Sequence, residues 1–170
     1  MKQPGTRLTG VRVLVVEDHP DTLETLMILL EANGAEVAGV LSTADALPAL
    51  VTFRPDLLLA DIAMPGEDGF ALITKVRKAR PVEGGRIPAL ALSAHVYPED
   101  QERALAAGFQ AFLDKPVSAE TLLRAVRTAL EGLSPVERRR GERRSLALGG
   151  AVLERRTRRR RQAYGNAPTF

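Results

Sequence analysis

The chain has 170 residues, enough for one full domain and an appendage but not for two catalytic domains. With 45% apolar and 26% charged residues it can bury a core. Lacking cysteine and holding two histidines, it excludes disulfide scaffolds, thiolate chemistry and histidine-rich zinc sites. Its net charge of +3 is unevenly spread: residues 1–130 carry 13 Lys/Arg against 17 Asp/Glu, and residues 131–170 carry 11 Arg against 4 Glu.

Val11–Val16 is a nearly continuous apolar run, the pattern of a strand covered on both faces. Pro20 and Asp21 open a helix whose Leu23, Leu26, Met27 and Leu30 share one stripe, with Gly34 just past its end. Ala35–Val40 is a second strand. Ser42 or Thr43 caps a second helix ending near Phe53. Pro48 inside it predicts a kink or a late start, because proline removes a hydrogen bond and crowds the preceding turn. Asp56–Asp61 is a third strand, Asp68–Ala79 a helix, and Ile87–Ser93 a fourth strand behind a Gly-rich loop at Glu83–Arg86. Pro98–Ala107 is a helix closed by Gly108, and Gln110–Asp114 is the fifth strand. Ser118 caps a last helix with Leu122, Ala125, Val126, Ala129 and Leu130 on one stripe, and Gly132 ends it.

Five strand–helix units with apolar strands make an α/β fold, an open parallel sheet with helices on both faces. Residues 1–9 read as an N-terminal extension, 10–131 as the domain, and 132–170 as an arginine-rich tail, disordered or partly helical. No apolar run is long enough to cross a membrane, so no membrane partner is expected. Met1–Gly10 has no apolar signal core, and a chain without cysteine is expected in the cytoplasm.

In such a sheet, ligands bind beyond the carboxyl ends of the strands. The first strand ends in Glu17 and Asp18, the third in Asp61, the fourth in Ser93, and Lys115 and Pro116 follow the fifth. Close-packed carboxylates repel one another unless a cation sits among them. Oxygen donors without His or Cys favour a hard ion, magnesium before zinc. Magnesium draws phosphate into its shell, and a lysine and a hydroxyl are natural partners for phosphoryl oxygens. These residues therefore point to a magnesium-dependent phosphoryl site. No Gly-rich phosphate loop with a trailing lysine accompanies them.

The segments VLVVEDHP, LLLADIAMPGEDGF, ALALSAH and AFLDKP resemble the receiver domain of two-component response regulators, closest to receivers associated with hybrid sensor kinases. The resemblance covers residues 10–131 and implies a doubly wound, flavodoxin-like five-stranded sheet in the order 2-1-3-4-5. It implies that Asp61 accepts a phosphoryl group from a sensor histidine kinase or a phosphotransfer protein. Asp18, Glu17, Asp61 and the backbone carbonyl of Ala63 would hold Mg2+. Lys115 would pair with the phosphate, Ser93 would turn toward it, and Phe112 would move inward with Ser93. Pro116 matches a proline that often follows a cis bond in this family.

Taken singly, each residue also has an ordinary reading. A strand-end aspartate is usually a cap, a lone lysine is usually solvated, and Phe112 suits plain core. His19 reads as a helix start, His95 as a loop residue at the rim, and Asp68–Gly69 as cap and turn. A second functional reading is a nucleic-acid-binding regulator whose basic residues 134–170 are the output. A third, a phosphatase, lacks the second aspartate it would need where Ala63 stands.

Overall fold

The structure, a computed structural model, describes residues 8–80, 85–94 and 97–131. The arginine-rich tail with its nucleic-acid reading, the helix stop at Gly132, His95 and the start of the Gly-rich loop lie outside the described residues.

Five strands alternate with five helices: β1 (Arg12–Val16), α1 (Pro20–Ala32), β2 (Glu36–Val40), α2 (Thr43–Phe53), β3 (Leu57–Asp61), α3 (Gly69–Lys78), β4 (Ala89–Ser93), α4 (Pro98–Ala107), β5 (Ala111–Asp114) and α5 (Ala119–Glu131). The strands form one parallel sheet in the order β2-β1-β3-β4-β5. Alternate residues of β1, β3 and β4 face opposite sides, as the two-residue period of a strand requires. Leu14, Val16, Leu58, Ala60, Ala89 and Ala91 pack against Ala46 and Leu50 of α2, Ile73 and Val76 of α3, and Ala104 of α4. Val13, Val15, Leu57, Leu59, Leu90 and Leu92 pack against Leu23, Leu26 and Leu30 of α1 and Leu122 and Val126 of α5. The three inner strands are buried at every residue, which explains their unbroken apolar sequences.

Four of the five strands begin one residue later than the apolar runs suggest, and β4 begins two later. Local polar bonds explain part of this. At the start of β3, the Asp56 carboxylate accepts the Arg12 amide at 2.9 Å, a side chain replacing a ladder partner. Leu8 is buried in the α1/α5 core, and its amide donates to the Asn33 carbonyl at 2.7 Å. The packed core thus begins ahead of residue 10.

The late start foreseen for α2 does not occur. Ser42 caps it, accepting the Asp45 amide at 3.2 Å, and the helix runs from Thr43 with Pro48 inside. Buried Ala46 and Leu50 hold this stretch to the sheet, whereas Ala44 and Pro48 are exposed. The carbonyl deprived of its partner by proline therefore lies on the water side, where the loss is smallest.

Candidate functional site

The parallel ladder sets the site. Asp61 pairs with Leu92, so Ser93 lies one residue beyond it on the neighbouring strand, and the Ser93 carbonyl accepts the Lys115 amide at 2.7 Å. Glu17 follows β1 directly, and its amide donates to the Val40 carbonyl at 3.1 Å. Glu17, Asp61 and Ser93 are buried, three of the five buried polar residues among the described residues. Asp18 is half-buried.

Lys115 joins two of these groups. Its ammonium donates to Glu17 Oε2 at 2.5 Å and to Asp61 Oδ2 at 2.6 Å. The other Asp61 oxygen, Oδ1, accepts the Ala63 amide at 2.8 Å, so the carboxylate is oriented from both sides. Burial pushes the Lys115 pKa down, but the hydrogen bonds and charges of Asp61 and Glu17 outweigh it, and the net direction is up.

Three carboxylates against one ammonium leave two uncompensated negative charges at this edge. One ligand atom from each of Glu17, Asp18 and His19 lies within 4.8 Å of the others. The charge and the oxygen-rich donor set fit a hard dication. His19, read from sequence as a helix start, is indeed the N-cap of α1, but its side chain makes no capping bond. Its Nδ1 lies 3.1 Å from Asp18 Oδ1 instead. Only its position beside the acidic pair could have signalled this.

The loop after β3 is held at three points. Asp68 caps α3 by accepting the Ala71 amide at 2.8 Å, the cap read from sequence. Gly69 is there because a Cβ would collide with the Asp61 carbonyl oxygen and stand 2.8 Å from Ile62 Cα. Only glycine lets α3 begin this close to the strand that carries Asp61. Glu67 accepts from Thr43 Oγ1 at 3.1 Å and pairs with Lys75, whose hydrogen bond holds its carboxyl below the usual range. This Thr43–Glu67–Lys75 clamp was missed by sequence reasoning, because it joins elements 24 residues apart with no spacing signal.

Ser93 ends β4, and Phe112, on β5, is half-buried against the α2–α4 side of the core. The peptide bond between Lys115 and Pro116 is cis, as the resemblance implies. Met64 is buried in the core and Pro65 is exposed, so both shape the loop rather than the chemistry.

The family model of the response regulator receiver domain matches residues 13–127. A 14.6 kDa protein of Leptolyngbya boryana is 42% identical over 119 residues, spanning 70% of this chain and 89% of that protein. The sensor histidine kinase GacS of Pseudomonas protegens is 34% identical over 148 residues, covering 84% of this chain but 16% of the kinase. Among solved structures, chemotaxis protein CheY4 of Vibrio cholerae superposes with a TM-score of 0.66 at 28% identity, covering 70% of this chain and 98% of that one. The receiver domain of a signal transduction histidine kinase from Syntrophus aciditrophicus gives 0.65 at 31% identity, covering 74% and 93%. Motifs, strand order and comparisons agree, and the chain belongs to the response regulator receiver domains of two-component signalling.

Proposed function

We propose that this domain is a magnesium-dependent phosphorylation switch that accepts a phosphoryl group on Asp61 from the phosphohistidine of a sensor kinase or phosphotransfer protein. The observation that carries this reading is Lys115 bridging buried Glu17 and Asp61 at the carboxyl edge of the sheet. A lysine held there can pass to a phosphoryl oxygen as negative charge builds on it.

Asp61 attacks phosphorus in line; the O–P bond forms as the P–N bond to the donor imidazole breaks, and the imidazole then takes up a proton from water. Glu17, Asp18, Asp61 and the Ala63 carbonyl would hold Mg2+, which supplies charge neutralisation for the phosphoryl oxygens when bound. The Ala63 amide keeps Asp61 aimed, and Lys115 neutralises the transferred charge. Ala63, exposed and without a polar side chain, neither orients nor repels the water that later hydrolyses the acyl phosphate. Ser93 bonds the new phosphoryl group, and Phe112 moves inward with it, so the α4–β5 face changes its binding surface. The output is thus an altered contact with a downstream protein, and no external substrate is turned over.

The test uses acetyl phosphate with magnesium on the wild type and on Asp61→Asn. The wild type gains one phosphoryl mass, stable in acid and labile in base, and the variant gains none. Equal labelling of both proteins, or no labelling of the wild type by acetyl phosphate or by any phosphorylated kinase, overturns the reading.

A further inference from the structure

We propose that the groove between α3 and α4 docks a short acidic segment of a partner protein, held in extended form with carboxylates at positions i and i+4 and an apolar side chain at i+2. The inference goes beyond the phosphoryl site and does not depend on phosphorylation of Asp61.

The groove encloses about 470 Å³. Its apolar residues Phe70, Ala71 and Ala107 are buried or half-buried, whereas its cations Lys75, Lys78 and Arg103 are exposed. The charge is local. Residues 1–130 hold 17 Asp/Glu against 13 Lys/Arg, yet α3 carries three basic residues and no acid.

Two of the cations are uncommitted. Lys75 is engaged by Glu67. Asp68, the carboxylate bordering the groove, is turned to the Ala71 amide of its own helix. Arg103 lays its guanidinium over the Phe70 ring, 4.0 Å from the centroid, which fixes its plane and leaves its N–H edge for oxygen acceptors. Among the described residues no carboxylate pairs with Lys78 or Arg103. A lysine in the last turn of α3 also opposes the helix dipole. That accounts for Lys78 but not for Arg103, which comes from α4 and stands over the start of α3.

The spacing selects the occupant. Phe70 and Lys78 are eight residues apart on α3, about 12 Å along its axis. An extended chain advances about 3.3 Å per residue and shows every second side chain to one face. Carboxylates at i and i+4 are thus about 13 Å apart and meet Arg103 and Lys78, while the side chain at i+2 enters the apolar lining between them. A phosphate backbone would instead set charge along the whole groove, including its apolar middle.

The test follows the fluorescence anisotropy of a fluorescein-labelled Gly/Ser peptide with Glu at its third and seventh positions and Leu at its fifth, titrated with the untagged full chain. Residues 131–170 are basic as well, so all proteins are compared at one salt concentration, and Arg124→Gln, at an exposed site on α5, is the equal-charge control. Lys78→Gln and Arg103→Gln each weaken binding about threefold and the double variant about tenfold. Arg124→Gln leaves it unchanged. Peptides with Gln for both Glu, or with Ser for Leu, bind the wild type about fivefold more weakly. Equal binding by wild type and double variant, an equal loss in Arg124→Gln, undiminished binding of the Leu-free peptide, or no binding at millimolar protein would overturn the groove as a docking site. A single-stranded oligonucleotide that loses affinity in the double variant while the peptide does not would assign the two cations to nucleic acid instead.

Discussion

The ammonium of Lys115 and the carboxylate of Glu17 meet at 2.5 Å across 98 residues of chain, with Glu17 wholly buried. Replacing Lys115 with Met leaves Glu17 and Asp61 as uncompensated buried acids. Removing one partner of a buried pair costs about 3–5 kcal/mol, and the partial exposure of Lys115 brings this nearer to about 2–3 kcal/mol. Urea unfolding in EDTA measures the loss. Millimolar magnesium restores part of it, because a dication supplies the missing charge. A variant as stable as the wild type in EDTA would show that the bridge contributes nothing to folding.

The same bridge predicts an alkaline signature. The Lys115 pKa lies above its ordinary value of 10.5 in the folded protein. A raised folded pKa means that its contribution is fully present below the unfolded value and is lost as pH rises through the folded one. The stability difference between wild type and Lys115→Met is therefore flat through neutral pH and shrinks above pH 10.5. Urea midpoints for the pair from pH 7 upward check this; a difference that grows with pH would contradict the bridge.

The strand ends were legible because a parallel sheet puts every carboxyl terminus on one edge, so Asp61, Ser93 and Lys115 could be grouped from sequence alone. The inner strands were legible because burial on both faces leaves no polar alternation. The Thr43–Glu67–Lys75 clamp and the carbonyl contacts of Arg77 were not, since each joins distant elements through residues common on any surface. The ring orientation of His19 escaped for a different reason: a helix-starting histidine ordinarily needs no partner beyond the helix.

Gly69→Ala places a methyl group against the Asp61 carbonyl and Ile62 Cα, both backbone atoms that cannot swing aside. Such overpacking costs about 1–3 kcal/mol. The strain falls on Asp61, the proposed acceptor, so acetyl phosphate labelling is expected to slow in addition to the loss of stability. Urea midpoints and labelling rates, measured where the variant remains folded, separate the two effects. Unchanged values for both would remove the close approach as an explanation for this glycine.

Pro48→Ala acts in the opposite direction. An interior proline is about 3 kcal/mol less favourable in a helix than alanine, and the stiffer unfolded chain offsets part of that. Pro48 is exposed, so the substitution sacrifices little packing while restoring an amide to α2. A gain of about 1–2 kcal/mol is expected, with unchanged labelling of Asp61. A loss of stability would mean that Pro48 holds a shape of α2 that alanine does not.

Arg77 tests whether scaffold and site are separable. Its guanidinium donates to the Gly108 carbonyl at 3.1 and 2.7 Å, to Ile87 at 2.8 Å and to Gly85 at 3.2 Å. These carbonyls precede β4 and β5, at the edge of the sheet opposite Asp61, and burial holds the guanidinium pKa below its usual value. Gly108 caps the C-terminus of α4, where a cation also opposes the helix dipole. Arg77→Met strips several carbonyls of donors at once, and the expected cost is about 2–3 kcal/mol. Arg77→Lys recovers less than half, because an ammonium cannot reproduce the planar fork. Labelling of Asp61 stays normal in both variants below their unfolding transitions, since neither touches the carboxyl edge. Impaired labelling in a fully folded Arg77→Met protein would show instead that the two edges of the sheet are coupled.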